Sequence, residues 1–258
     1  MTPARKRWII VTSLVVVLAL AAGSLLVIRA QQRSADVAKA DRVARAFTKD
    51  VRGFRAEVST ALRLADRDKA AAMKADLEQA IADPPRLGKA PAWGRSHSAS
   101  YLKAVEVQKK ITEPYQPLRR ALDETAAGQR YIRAAVKALR LEIDDFVGTG
   151  DVFYSGRPFR DKLVPGFAKA LKKLDAVPVP RGQQRLSAVV RAALKTVMRQ
   201  GEAVAGNLDS GRSGKIDAVD EYREAGKALT AYEGAMNSRL SEAVAKALAP
   251  VEDALAAT

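Results

Sequence analysis

The chain has 258 residues, of which 48% are hydrophobic and 28% charged, a balance typical of a folded protein and not of a disordered one. The absence of cysteine excludes disulfides, thiolate metal sites, cysteine nucleophiles and a lipid-modified N-terminal cysteine. The formal net charge of +15 favours anionic partners such as phosphate groups, acidic lipids or anionic envelope polymers.

The N-terminus has the pattern of a membrane anchor. A basic tail, residues 1–7, precedes an uncharged run from Trp8 to Ile28. A helix of that length rises roughly 30 Å, about the thickness of a bilayer core, so we predict that residues 8–28 form a transmembrane signal-anchor helix. A cleaved signal peptide is the alternative, because Ala19-Leu20-Ala21 is similar to a small-residue cleavage site.

The orientation of this helix follows from charge and length. The short tail is basic and the following domain is long, which predicts a cytoplasmic N-terminus and an extracytoplasmic domain over residues 29–258. The inverted orientation stays open because Arg29, Arg33 and Lys39 flank the other end of the run. We see no second apolar run after Ile28 and therefore predict a single-pass protein of the cell membrane.

The rest of the sequence has helical periodicity. Apolar residues recur every three or four positions from Val37 through Phe47 and Phe54 to Ala65, a coiled-coil-like seam of about four heptads. No proline or glycine lies between Gly23 and Gly53, so we expect the anchor helix to continue into this seam.

Further helices are predicted between prolines and glycines. One ends at Asp83-Pro84-Pro85, and the next begins near Ser98 with Leu102 as an apolar position and breaks at Pro114 and Pro117. The pattern restarts at Leu118 and continues to Phe146, so these two segments are two helices or one kinked helix. The remaining helices begin near Pro165, run from about Gly182 to Leu208, and begin near Ile216 with Val219 as an apolar position. The predicted fold is all-α: an N-terminal transmembrane helix followed by an elongated bundle of about five to seven helices with coiled-coil-like long first and last members.

No motif predicts catalysis, a cofactor or a metal. His97 is the only histidine and lies beside Ser96 and Ser98, which indicates a helix N-cap cluster more than a catalytic site. Four carboxylates share one predicted helical face and could hold a hard cation, but acidic residues also favour the start of a helix, and we prefer that interpretation. These four residues are Asp217, Asp220, Glu221 and Glu224.

Basic residues are concentrated between Arg157 and Arg199, where 11 cations face only Asp161 and Asp175. On a helical projection several of them lie opposite the apolar positions, and they form a candidate anion-binding face. The members of this face are Lys172, Lys173, Arg191, Lys195 and Arg199. An ordinary solvated surface is the alternative. The adjoining aromatic segment, Phe146 to Phe167, anchors a loop or forms a partner site.

These patterns favour a non-enzymatic, membrane-anchored interaction protein of the bacterial cell envelope. Its expected partners are another protein, a second copy of itself through the helical seams, or an anionic lipid or cell-wall polymer. A ligand-binding sensory module is one alternative, although we expect neither the second span nor the output region that such receptors need. A secreted helical domain after signal cleavage is another. Nucleic acid is disfavoured because the basic domain is expected outside the cytoplasm.

Overall fold

A computed structural model describes the backbone of residues 3–64, 69–148 and 153–256, and the side chains of residues 29–63, 69–148 and 153–249. All regular secondary structure in these ranges is helical, which confirms the predicted all-α class. The predicted transmembrane segment, residues 8–28, lies outside the described side chains, although its backbone belongs to the first helix. Within the described part of the chain, no helix combines the length and apolar character needed to cross a bilayer.

Helices follow one another with short connections. The α-helices of the described residues are α1 Pro3–Leu64, α2 Ala70–Ala80, α3 Ala92–His97, α4 Ala99–Lys110, α5 Gln116–Leu139, α6 Asp144–Val147, α7 Val164–Asp175, α8 Gln184–Asp209 and α9 Val219–Ala256. A 3-10 turn, Glu113–Tyr115, precedes α5, and a π-helical turn, Phe159–Leu163, precedes α7. The first and last helices are the longest, at 62 and 38 residues, as predicted.

The chain forms two compact units. One contains α1 up to Ala61, the segment Ala80–Pro114 and the C-terminal end from Val251, and the other contains Leu62–Gln79 and Tyr115–Pro250. We call them the first and the second unit. The candidate anion-binding residues all belong to the second unit.

In the first unit the predicted seam of α1 is buried. Phe47, Val51 and Phe54 are each less than a tenth exposed. Helix α3 approaches α1 closely, since a Cβ on Gly94 would lie 2.2 Å from the carbonyl oxygen of Asp36. A side chain there would force the two helices apart.

Helix α4 turns a different face inward from the one predicted. Leu102 was predicted as an apolar position of this helix but is 49% exposed, whereas Tyr101 and Ala104 are buried. The Tyr101 hydroxyl donates to the carbonyl oxygen of Gly88 at 3.0 Å, and this bond fixes the helix register. The burial of the Tyr101 ring, with its hydroxyl hydrogen-bonded, therefore determines which face of α4 is turned inward.

The second unit has a continuous core. Its buried members come from α5, the π turn, α7, α8 and α9, and include Tyr131, Phe159, Phe167, Leu194 and Leu229. Val219, predicted as an apolar position of the last helix, is instead 61% exposed, and its neighbour Ala218 is buried. Because α9 begins at Val219, that side chain lies at the open end of the helix.

Candidate anion-binding face

Helices α7 and α8 pack antiparallel and present the basic residues. The end of α7 lies beside Arg191, about two turns into α8, because Asp175 Oδ1 is 2.7 Å from Arg191 Nε. The start of α7 lies near the end of α8, because a Cβ on Gly201 would be 2.9 Å from Leu163 Cδ2, and Arg160 pairs with Asp209. Both helices therefore cover the core side by side over most of the length of α7.

The apolar sides of both helices face the core, as the projection predicts. The buried side chains are Phe167 and Leu174 of α7, Leu163 of the π-helical turn before it, and Leu186, Val190, Leu194 and Val197 of α8. Three cations lie opposite them at about 100° per residue and are exposed: Lys172, Lys195 and Arg199. None of the three forms an ion pair with a described residue. We call these three residues the basic face.

The two remaining members of the predicted set have different surroundings. Arg191 is half-buried and lies against Asp175, so a nearby carboxylate offsets its charge. Lys173 follows Lys172 directly and therefore points about 100° further around α7, where it lines a cleft between α5 and α7. The structure thus separates Lys173 from the basic face and places it with Lys169 of the same basic stretch and with Lys137 of α5, which the sequence pattern did not single out.

The acidic group near α9 has local partners. Asp217 precedes the helix and therefore does not share a helical face with Asp220. Lys215 Nζ lies 3.0 Å from Asp217 Oδ2, and this hydrogen bond lowers the pKa of Asp217. Arg223 pairs with Asp220 at 2.6 Å. Among the described residues, no three acidic or histidine side chains are grouped so as to hold a metal ion.

His97 and the neighbouring serines have structural partners. The imidazole stacks on Trp93 with ring centroids 3.6 Å apart, and its Nδ1 lies 2.9 Å from Ser96 Oγ and from the Trp93 carbonyl oxygen. Ser98 Oγ accepts a hydrogen bond from the Tyr101 amide at 2.9 Å and donates to Asp41 Oδ1 at 2.5 Å. Ser98 is thus the N-cap of α4.

The aromatic segment is mostly packed against the second unit. Phe159 and Phe167 are buried, and Phe153 contacts Phe159 edge-on with centroids 5.3 Å apart. Gly156 anchors the segment, because its amide donates to Asp209 Oδ1 at 2.9 Å. Tyr154 alone points outward, with 89% of its surface exposed. The aromatic residues of this segment other than Tyr154 therefore hold the segment against the core of the second unit.

No protein-family model matches this chain, and no curated protein or solved structure matches it. Among the described residues, the members of the predicted anion-binding set that are exposed opposite the core on α7 and α8 and have no ion-pair partner are those of the basic face.

Proposed function

We propose that this protein is a membrane-anchored extracytoplasmic interaction protein of the bacterial cell envelope, and that its basic face binds an anionic surface. The observation that carries this proposal is the exposure of Lys172, Lys195 and Arg199 without an ion-pair partner among the described residues. A cation that already has a carboxylate neighbour, such as Arg191, gains little from a second anion. The three cations of the basic face have no such neighbour, so their charges are available to bind an anionic surface.

The anchor is supported by the uncharged run from Trp8 to Ile28 and by its place in α1. The backbone of α1 is one helix from Pro3 to Leu64, so the run and the buried seam belong to the same element. At 1.5 Å per residue, Ala40 lies about 18 Å along the helix axis from Ile28. An anchor at residues 8–28 would therefore hold the first unit close to the bilayer surface.

The size of the proposed effect follows from elementary electrostatics. A cation near an anionic membrane surface contributes about 1 kcal/mol, so three of them account for roughly a 100-fold gain in affinity. The attraction between exposed charges is screened beyond about 8 Å at physiological ionic strength. Binding through the basic face should accordingly weaken as salt rises.

The test compares two variants with the same loss of charge. Full-length protein in neutral phosphatidylcholine nanodiscs is mixed with phosphatidylglycerol vesicles, and co-sedimentation is measured across a salt series. The face variant carries Lys172→Gln, Lys195→Gln and Arg199→Gln. We expect it to bind about 10- to 100-fold more weakly and with a shallower salt dependence than the parent.

The matched control is a variant of α1 with the exposed residues Arg42, Arg45 and Arg52 changed to Gln. It should lose much less binding, and phosphatidylcholine vesicles should not sediment the parent. Equal losses in both variants would mean that net charge alone is responsible. Unchanged binding in the face variant would refute the proposal and favour a protein partner elsewhere on the surface.

A further inference from the structure

A cleft between α5 and α7 combines apolar walls with a rim of lysines. It has a volume of about 290 Å³. Ala134 and Ala138 of α5, and Ala170 of α7, line one part, and Phe146 closes another. The cations at its edge are Lys137, Lys169 and Lys173, all of them exposed.

Small residues create this cleft. Ala134 and Ala138 lie one turn apart on α5, and Gly166 and Ala170 lie one turn apart on α7, so each helix presents a shallow surface to the other. Gly166 makes room for the Phe146 ring, because a Cβ there would lie 2.2 Å from Phe146 Cε1 in its present position. The Phe146 ring also contacts Phe167, with centroids 5.6 Å apart. The wall is therefore tied to the core.

The charge around the cleft has one sign. Among the described residues, no carboxylate lines it, and none forms an ion pair with Lys137, Lys169 or Lys173. Asp144 and Asp145 of the neighbouring α6 are exposed and are not part of the lining. Three like charges from two helices at the edge of an apolar cleft concentrate positive potential there. Their flexible stems allow the ammonium groups to converge on an anion at the mouth.

We propose that this cleft binds a small amphiphilic carboxylate, with the apolar tail against Ala134, Ala170 and Phe146 and the carboxylate at the lysine rim. At about 290 Å³ the cleft lies at the lower end of the volumes typical of small-molecule sites, about 300–1,000 Å³, so a short ligand suits it. A straight-chain carboxylate of about eight carbons is a ligand of that kind. This site is separate from the basic face and does not depend on the proposed function.

Octanoate is the probe for this site. Equilibrium dialysis of radiolabelled octanoate against the full-length chain in phosphatidylcholine nanodiscs, with empty nanodiscs subtracted, should give saturable binding at one site per chain. A ligand of this size with mostly apolar contacts binds with a dissociation constant on the order of 1 mM or below. Octanol, which lacks the charge, should compete about 3- to 10-fold more weakly, and acetate, which lacks the tail, at least about tenfold more weakly.

Two kinds of substitution separate tail from charge. Ala170→Phe fills the cleft without altering any charge and should reduce octanoate affinity by about tenfold or more. The triple variant Lys137→Gln, Lys169→Gln, Lys173→Gln should reduce it about 3- to 10-fold. The triple variant of the basic face is the control and should bind octanoate like the parent, which also separates this proposal from the previous one.

Folding is checked by thermal unfolding followed by circular dichroism. If Ala170→Phe does not fold, Ala134→Leu, which fills the opposite wall, replaces it and should lose binding likewise. Saturable binding that survives both a folded filling variant and the lysine variant would overturn the proposal. So would the absence of saturable binding above empty nanodiscs, or equal losses in the cleft and basic-face variants.

Discussion

At the residue scale, two positions show how tightly the second unit is packed. The backbone of Gly156 lies so close to α8 that a Cβ would be 2.2 Å from the carbonyl oxygen of Ala205. The hydroxyl of Tyr222 is buried and has no hydrogen-bond partner among the described residues. Neither feature could be predicted from the sequence. Glycine is common in loops and tyrosine is common at apolar heptad positions, so neither residue type indicates a close backbone approach or an unbonded hydroxyl.

Gly156→Ala should destabilise the protein by about 2–3 kcal/mol, since the methyl group would collide with backbone and not with a movable side-chain end. The matched control is Gly206→Ala in α8, where a Cβ would meet nothing within 4 Å. That change should stabilise the helix by about 0.5–1 kcal/mol. Urea unfolding followed by circular dichroism measures both, and a Gly156→Ala variant as stable as the parent would contradict the close approach.

Tyr222 gives a prediction for alkaline pH. Burial raises its pKa to about 12 from the ordinary value of 10.0. Above pH 10 the Tyr222 hydroxyl ionises in the unfolded chain but stays neutral in the folded chain. Ionisation stabilises the unfolded state, so the free energy of unfolding falls progressively as pH rises toward 12. Tyr222→Phe should therefore lose less stability than the parent over this interval, while the exposed Tyr154→Phe should follow the parent. Identical alkaline curves for all three proteins would contradict the burial.

At the element scale, periodicity and prolines predicted most helices but not all of their faces. The long α1, the break at Pro84 and Pro85 and the helix after Pro165 all follow from local rules. Helix α3 was not predicted, because its sequence contains Gly94 and follows several prolines, and its close packing on α1 is a tertiary effect. The buried face of α4 was missed for a similar reason, since the bond from Tyr101 to Gly88 joins two segments of the chain.

The stability of helix α4 depends on its N-cap residue, Ser98. It is 1% exposed, caps α4 and donates to Asp41 on α1. Ser98→Ala should cost about 1–3 kcal/mol, because it removes the cap and leaves the buried Tyr101 amide without its acceptor and the partly buried Asp41 carboxylate without its donor. Ser100→Ala, at an exposed position within the same helix, should be neutral or slightly stabilising. Urea unfolding of the pair measures the difference, and equal stability would show that α4 does not depend on this cap.

At the scale of the whole molecule, the sequence predicted the all-α class of the fold and the exposure of the three residues of the basic face. Lys172, Lys195 and Arg199 could be chosen because amphipathicity alone makes them exposed. The pairing of Arg191 with Asp175, and the convergence of Lys137 on Lys169 and Lys173, depend on which helices become neighbours. The division into two units likewise has no counterpart in composition, because the first unit is assembled from distant segments of the chain.

Placement outside the cytoplasm underlies the proposed role and is tested most directly by protease access. Intact protoplasts producing the full-length chain with an N-terminal epitope are treated with an external protease. If residues 8–28 anchor the chain with its N-terminus inside, the helical domain should be degraded while a short membrane-bound fragment keeps the epitope. A full-length chain protected until the protoplasts are lysed would contradict this placement and would give the basic helices cytoplasmic partners instead.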